Sequence, residues 1–270
     1  MTHESLIRLC AFVAVLLAMA AWETLAPRRK LTVGRVTRWP SNIGVVMVNT
    51  ALLWLILPAG AVGFAFSCSA HGWGFFNAMH VPIWLTILPS VVILDFVIYL
   101  QHVMFHAVPI LWRVHRMHHA DLDFDVTTGI RFHPVEIVIS MGIKLAAVAL
   151  LGTPAAGVLA FEVLLNATSM FNHSNIDIPK GRDAILRMFA VTPDMHRVHH
   201  SIVVRETNSN FGFNLPWWDR LLGTYRAQPE AGHDAMTIGI EQFREAGELR
   251  LDRMLTQPWR GDPGAYPING

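Results

Sequence analysis

Cysteine is nearly missing from this sequence: its 270 residues include Cys10 and Cys68 and no other. Two isolated thiols exclude a CxxC redox pair, a cysteine-rich zinc site, a four-thiolate iron–sulfur cluster and a disulfide framework. Charge is scarce too. Asp, Glu, Lys and Arg make up 15% of the chain and nearly cancel to a net +1. The overall basic field that draws phosphates is therefore lacking, and no nucleic-acid partner is expected. Polar residues are too few for an ordinary soluble domain, since 53% of the 30.2 kDa chain is hydrophobic and its mean hydropathy is +0.38. The same richness excludes disorder. Long apolar runs and fourteen histidines stand in their place.

Residues 43–66 form a run of twenty-four positions without a charge. At about 1.5 Å per helical residue, that is enough to cross a hydrocarbon layer roughly 30 Å thick. A second run, 81–101, is interrupted only by Asp95, and a third, 6–22, carries only Arg8. Ala18-Met19-Ala20 resembles a signal-peptide cleavage site, but the preceding Arg is offset by Glu4, so 6–22 is taken as a span. Between 135 and 172 a long apolar stretch is broken at Gly152-Thr153-Pro154, which predicts a helical hairpin. Lys144 and Glu162 lie inside it and must face protein or snorkel outward.

Basic residues set the expected orientation. The linker 27–40 holds Arg28, Arg29, Lys30, Arg35 and Arg38, whereas the loop 67–80 holds none, which places the linker in the cytoplasm. The N-terminus then lies outside, and residues 173–270, with 23 of the 41 charged residues, form a cytoplasmic cap. The Pro- and Gly-rich stretch 261–270 is expected to be poorly ordered. The fold predicted is all-α: an integral membrane protein with about four spanning or hairpin helices and a cytoplasmic helical cap. For a bacterial chain this means the inner membrane.

Ten of the fourteen histidines fall between His102 and His200. His102 and His106, spaced i,i+4, share one face of a helix at the inner end of the third span. Asp95, seven residues earlier on that face, is a candidate to orient one of them by a hydrogen bond. His115-Arg-Met-His118-His119 and His196-Arg-Val-His199-His200 repeat one HRxHH pattern 81 residues apart, and each copy can present up to three nitrogens to one side of a helix. So many imidazoles exceed the coordination of a single ion, which argues for a dinuclear centre. His173, in FNHSN, extends the set. His133, in RFHPVE, is either an additional ligand or a packing and hydrogen-bonding residue. Asn208 and Asn210 either donate hydrogen bonds near the third cluster or form a turn. Two competing readings are a divalent-metal transporter or sensor, whose ligands should line a path near the bilayer midplane, and a bis-histidine haem protein.

The ordered series HxxxH (His102, His106), HxxHH (His115, His118, His119), RFHPVE at 131–136, NHSN at 172–175, TPxxHRVHH at 192–200 and NSNFGFNLPWWDRLLGTY at 208–225 resembles the fatty acid hydroxylase / sterol desaturase superfamily over roughly 90–226. The resemblance implies an integral membrane enzyme with two iron ions at the cytoplasmic side. It implies O2 as co-substrate and two electrons spent in hydroxylating or desaturating a fatty acyl chain, sterol or related amphiphile. The metal ligands it implies are His102, His106, His115, His118, His119, His173, His196, His199 and His200. Some members carry a further histidine where this chain has Ser169, and a member that binds metal without turnover is a third alternative. Trp218, Asp219, Gly223, Thr224 and Tyr225 match a structural signature of the family. With no dinucleotide fingerprint or cysteine cluster in the chain, electrons are expected from a separate reductase, ferredoxin or cytochrome-type donor. Three segments result: 1–80, N-terminal transmembrane helices and basic linker; 81–226, the catalytic domain; 227–270, a C-terminal cytoplasmic tail.

Overall fold

A computed structural model describes residues 3–269. The apolar runs all fold as helices, since backbone polar groups in lipid must be satisfied within their own segment. In chain order these are α1 (His3–Leu25), α2 (Arg35–Ile56), α3 (Gly60–Ala70), α4 (Phe75–Ala78), α5 (Ile83–Ala107), α6 (Pro109–His119), α7 (Pro134–Leu151) and α8 (Ala155–Asn172). Among the described residues, five elements are long and apolar enough to cross a membrane: α1, the bent stretch Arg35–Ala78, α5, α7 and α8. The same residues hold no strand, only the isolated bridges Pro27 to Ile176 and Ser201 to Ile238.

The charge-free run 43–66 is not one straight span, because α2 stops at Ile56 and α3 starts at Gly60. Pro58 cannot donate the next helical hydrogen bond, and Gly60, at φ +63°, takes the left-handed conformation that turns the chain. The hairpin turns where it was predicted: Gly152 (φ +71°) ends α7, and Pro154 precedes the first residue of α8. Inside the hairpin, Glu162 accepts from Lys144 Nζ and from Arg8 Nη1 of α1, both at 2.7 Å. Two helices thus supply the counter-charges that burial in lipid demands.

The apolar core lies between α3, α5, α7 and α8 and is built from Leu94, Ile98, Val148, Val158, Phe161 and their neighbours. Outward-facing Leu17, Trp54, Leu55, Trp84, Leu88 and Leu150 are exposed. Alternating helix directions bring the C-terminal ends of α1, α5 and α8 and the N-terminal ends of α2 and α7 to one end of the bundle. Hydrogen bonds tie those ends together: Glu23, near the end of α1, accepts from the backbone N–H of Val126 and of Asn175, each at 2.7 Å. Arg38, in the first turn of α2, is fully buried and grips Asp121 with Nε and Nη2 (both 2.7 Å), Asp125 with Nη1 (2.5 Å) and Thr128 with Nη2 (3.0 Å).

Over this end sits a cap of short helices: α9 (Lys180–Leu186), α10 (Pro193–His199), α11 (Val204–Thr207), α12 (Trp217–Leu222), α13 (Gly232–Ala235) and α14 (Leu251–Thr256). The stretch 261–269, expected to be loose, is instead fixed against α6. Trp112 Nε1 donates to Pro263 O (3.0 Å), Arg116 Nη1 to Asp262 O (2.6 Å) and Arg113 Nη1 to Gly261 O (2.7 Å). Its side chain Tyr266 is fully buried. Prolines and glycines there shape a tight wrap around three donors whose partners lie too far along the sequence to be foreseen.

Candidate metal centre

Each histidine segment starts from a local signal. α6 begins with Pro109 at its first position, and α10 begins with Pro193 after Thr192, whose hydroxyl accepts from Met195 N (3.4 Å). α5 brings His102 and His106 to its last turns, and α8 ends at Asn172 with His173 capping it. Gly129 lets the loop after α6 close on α8: a Cβ there would lie 2.4 Å from Ser169 O. In this position Ser169 Oγ donates to Gly129 O (2.6 Å), which is the work done by the residue at the site of the missing tenth histidine.

All nine rings of the predicted set come together, in two groups. His102, His106, His115, His119 and His199 make one; His118, His173, His196 and His200 make the other. Within each group the potential ligand atoms lie within 4.8 Å of one another, and every ring is buried. The two HRxHH copies do not each face one way. In both, the i,i+4 pair joins one group and the residue at i+3 joins the other: His115 and His119 against His118, His196 and His200 against His199. The copies are thus interlocked, each contributing to both groups.

Hydrogen bonds to the outer ring nitrogen fix the inner one. Nδ1–H of His102 donates to Phe211 O (2.8 Å), of His106 to Asn208 Oδ1 (3.0 Å), of His115 to Glu136 Oε1 (2.7 Å), of His118 to Arg131 O (3.3 Å), of His173 to Ser169 O (2.7 Å) and of His199 to Ser209 O (2.7 Å). These oxygens only accept, so the proton sits on Nδ1 and the lone pair on Nε2 points inward. His118 Nε2 and His173 Nε2 then face each other at 3.2 Å with no proton to share. Their neighbours repeat the spacing: His106 to His119 and His119 to His115 at 3.2 Å, His196 to His173 at 3.1 Å and His200 to His173 at 3.2 Å. Two nitrogens each about 2.1 Å from one ion are separated by roughly 3.0 Å at octahedral and 3.4 Å at tetrahedral angles. Nε2 of His102 and of His199 are buried without any partner. Protonation does not resolve the crowding. Burial, reinforced by neighbouring rings, holds His118, His119, His196, His199 and His200 well below the ordinary histidine range, and burial pushes His173 down to about 3. The donor set fits cations, one per group.

Among the accessory residues Asp95 departs from expectation, while His133 and Asn210 take the second of the two roles open to each. Asp95 touches no histidine; it accepts from Asn214 N and Leu215 N (both 3.2 Å) and from Trp218 Nε1 (2.8 Å), anchoring the NLPWW turn to α5. Its i−7 position lies two helical turns, about 10 Å, from His102, too far for a hydrogen bond. His133 stays outside both groups: it is the N-cap of α7, its Nδ1 accepting from Val135 N (3.1 Å) while Nε2 bonds Leu255 O (3.1 Å). Asn208 belongs with the first cluster rather than the third, joining His106 to Tyr266 O (2.8 Å). Asn210, at φ +53°, is a turn residue whose amide ties Met195 O to Arg226 O. Asp219 accepts from Phe211 N, Gly212 N and Thr224 Oγ1, holding the strip that supplies the acceptor for His102. Trp112, fully buried, stacks on Tyr266 and touches His106 and His119, so it packs the site. Glu136 went unrecognised in the sequence, although a carboxylate in the first turn after the HP pair of RFHPVE was the available signal. The carbonyl acceptors leave no mark in side-chain identity.

The fatty acid hydroxylase family model matches residues 87–224, just over half of the chain. Over 159 residues the chain is 32% identical to the ornithine lipid hydroxylase OlsE of Rhizobium tropici, covering 59% of this chain and 46% of that one. Against human alkylglycerol monooxygenase the identity is 31% over 150 residues, 55% of this chain and 32% of the relative. Against rat cholesterol 25-hydroxylase it is 26% over 164 residues, 60% and 53%. The matched part thus spans between about a third and about half of the length of these relatives. No solved structure matches the chain. Every one of the nine gathered rings lies inside the matched stretch, and the chain belongs to the fatty acid hydroxylase family.

Proposed function

We propose that the chain is a membrane-bound di-iron oxygenase that uses O2 and two electrons to hydroxylate or desaturate the hydrocarbon part of a membrane lipid. The observation that carries this reading is the pair of inward lone pairs, His118 Nε2 and His173 Nε2, held 3.2 Å apart in a buried place. One ion would be held by His102, His106, His115, His119 and His199, the other by His118, His173, His196 and His200. Imidazole suits iron, copper, nickel and zinc; zinc lacks redox chemistry, and the relatives are named hydroxylases and monooxygenases, which favours iron. Bound there, the ions would supply the redox chemistry with O2 that side chains cannot perform on an unactivated C–H bond.

The protein's part is geometry. Glu136, Asn208 and the carbonyls of Arg131, Ser169, Ser209 and Phe211 hold the rings in one tautomer and orientation. Aromatic neighbours Phe105, Trp112, Phe124 and Phe211 keep water away. The histidines serve as ligands and not as bases. Both groups lie at the same end of the bundle as the basic linker, on the cytoplasmic face by the positive-inside bias. They do not line a path across the bundle, as a transporter requires, and nitrogens 3.2 Å apart leave no gap for a haem between them. Electrons come from a separate donor protein. A surface cavity of ≈ 360 Å³ lined by Arg205, Asn208, Ser209 and Tyr225 reaches the residues that back His106 and His199, and offers the donor an approach.

The test is comparative lipid mass spectrometry of cells expressing the wild type or His199→Ala. A product heavier by one oxygen, or lighter by two hydrogens, that vanishes in the variant is expected. Identical lipid profiles, or a purified protein with a haem Soret band, would overturn the reading.

A further inference from the structure

Six aromatic side chains press against the histidine rings, and four of them touch one group only. Phe105, Trp112 and Phe211 contact the five-ring group, and Phe124 contacts His173 and His200 of the four-ring group. Phe132 and Phe213 differ. Phe132 stacks on His118 at 4.5 Å and lies 6.5 Å from His115; Phe213 lies 5.2 Å from His102 and 6.0 Å from His196. Each therefore spans both groups, and the two rings are 6.5 Å apart across the seam between them.

These two also belong to the apolar core. Phe213 is part of the core formed with Leu94, Ile98, Val158 and Phe161, and Phe132 packs against that core. Their backbones are tethered to spanning helices, Phe132 O accepting from Asn49 Nδ2 of α2 (2.9 Å) and Phe213 O from Asn172 Nδ2 of α8 (3.0 Å). The seam is thus the place where the apolar core of α3, α5, α7 and α8 meets both groups at once. From the cap side, the surface cavity beside Asn208 is lined by Arg205, Ser209, Thr224 and Arg226, a lining that desolvates poorly against hydrocarbon.

We infer that Phe132 and Phe213 are specificity-determining residues: a substrate's alkyl chain reaches the two groups from the side of the helical core, past these two touching rings, and their bulk selects the carbon presented. The inference rests on the lipid-oxygenase reading and refines it to a substrate that inserts a methylene chain. Phe213→Ala lets the chain advance and Phe213→Trp holds it back.

Two measurements test this on the full-length protein in membranes, with metal content as the check that the site still assembles and Phe213→Leu as the milder variant. In the first, cells are fed palmitate bearing a mid-chain diazirine, irradiated, and the cross-linked residues mapped. Cross-links beside Phe132, Phe213 and the α5, α7 and α8 core are expected, and they should drop about tenfold or more in Phe213→Trp. In the second, the position of the new hydroxyl or double bond is read by fragmentation; Ala and Trp should shift the positional ratio in opposite directions by about tenfold, the scale on which an apolar pocket discriminates one methylene. Seam cross-links in a wild type that forms no product would sink the oxygenase reading and with it the selection of a reacting carbon, leaving the seam only as a binding path for the chain. Product whose position is unchanged in all three metal-replete variants, or cross-links confined to the outer lipid-facing helices, would overturn the assignment and leave the oxygenase standing.

Discussion

At the scale of single residues, the site is set by where protons cannot go. His173 is pushed down to about 3 and its partners lie well below the usual range, so each ring binds a proton more readily unfolded than folded. For His173 stability therefore rises with pH from about 3 to the unperturbed 6.5, by about 1.4 kcal/mol per pH unit, its neighbours act in the same direction, and stability falls on acidification. Metal-free protein in detergent should melt at markedly lower temperature at pH 5 than at pH 7.5; a melting temperature indifferent to pH would contradict the buried neutral rings. The division into two groups makes a second prediction. His118→Ala and His199→Ala strike different groups, so each should lower the metal content from about two ions per chain to about one while abolishing turnover. Elemental analysis of both variants checks this, and loss of both ions from either would speak for one shared cluster.

At the scale of elements, segments outside the family-matched stretch brace the site that lies inside it. Arg38 of α2 neutralises Asp121 and Asp125 beside the loop whose Arg131 carbonyl holds His118; burial opposes the ionised form of Asp121, but Arg38 and Arg131 hold it at about 2. Arg38→Ala leaves Asp125 buried without its cation and Asp121 with Arg131 alone, and should cost about 3–5 kcal/mol, read as a fall in thermal stability. A change under about 1 kcal/mol would show that the hub is not coupled to folding. The C-terminal strap acts on the other group. Ile268 N donates to His106 O (2.9 Å), and Asn208, which orients His106, is held through Tyr266 O. A chain ending at 260 should lose metal from the five-ring group and keep the ion of the four-ring group, a split visible as half-occupancy with folding retained by circular dichroism. Full occupancy in that variant would reduce the strap to packing.

At the scale of the whole molecule, five apolar elements carry a polar site at one end, and the charge bias of the linker predicts that this end faces the cytoplasm. With Cys10 and Cys68 replaced by alanine, an impermeant maleimide applied to intact cells should label Phe75→Cys and spare Lys30→Cys; the reverse pattern would invert the orientation. The same arrangement accounts for the ionic trio of Arg8, Lys144 and Glu162, which three different helices place together where each charge alone would be costly.

Much of this was legible in the residues because its cause is local. A charge-free run must become a helix in lipid, Gly152 and Pro154 must turn a hairpin, and three histidine clusters with His173 announce a candidate metal centre wherever they meet. What no local pattern holds is which rings share an ion. The HRxHH repeats fix i,i+3,i+4 spacing, but sorting i+3 into the opposite group depends on two helices packing face to face. The roles of Asp95 and the strap escape the sequence, and that of His133 stays open in it, for the same reason: their partners, at 214–218, 106–116 and 255, are adjacent only in space. Composition and spacing determined that this is a helical membrane protein rich in imidazole ligands. Tertiary packing decided how those ligands divide, what orients them and which apolar wall they face, since contacts between distant segments are set by whole helices meeting and not by neighbours along the chain.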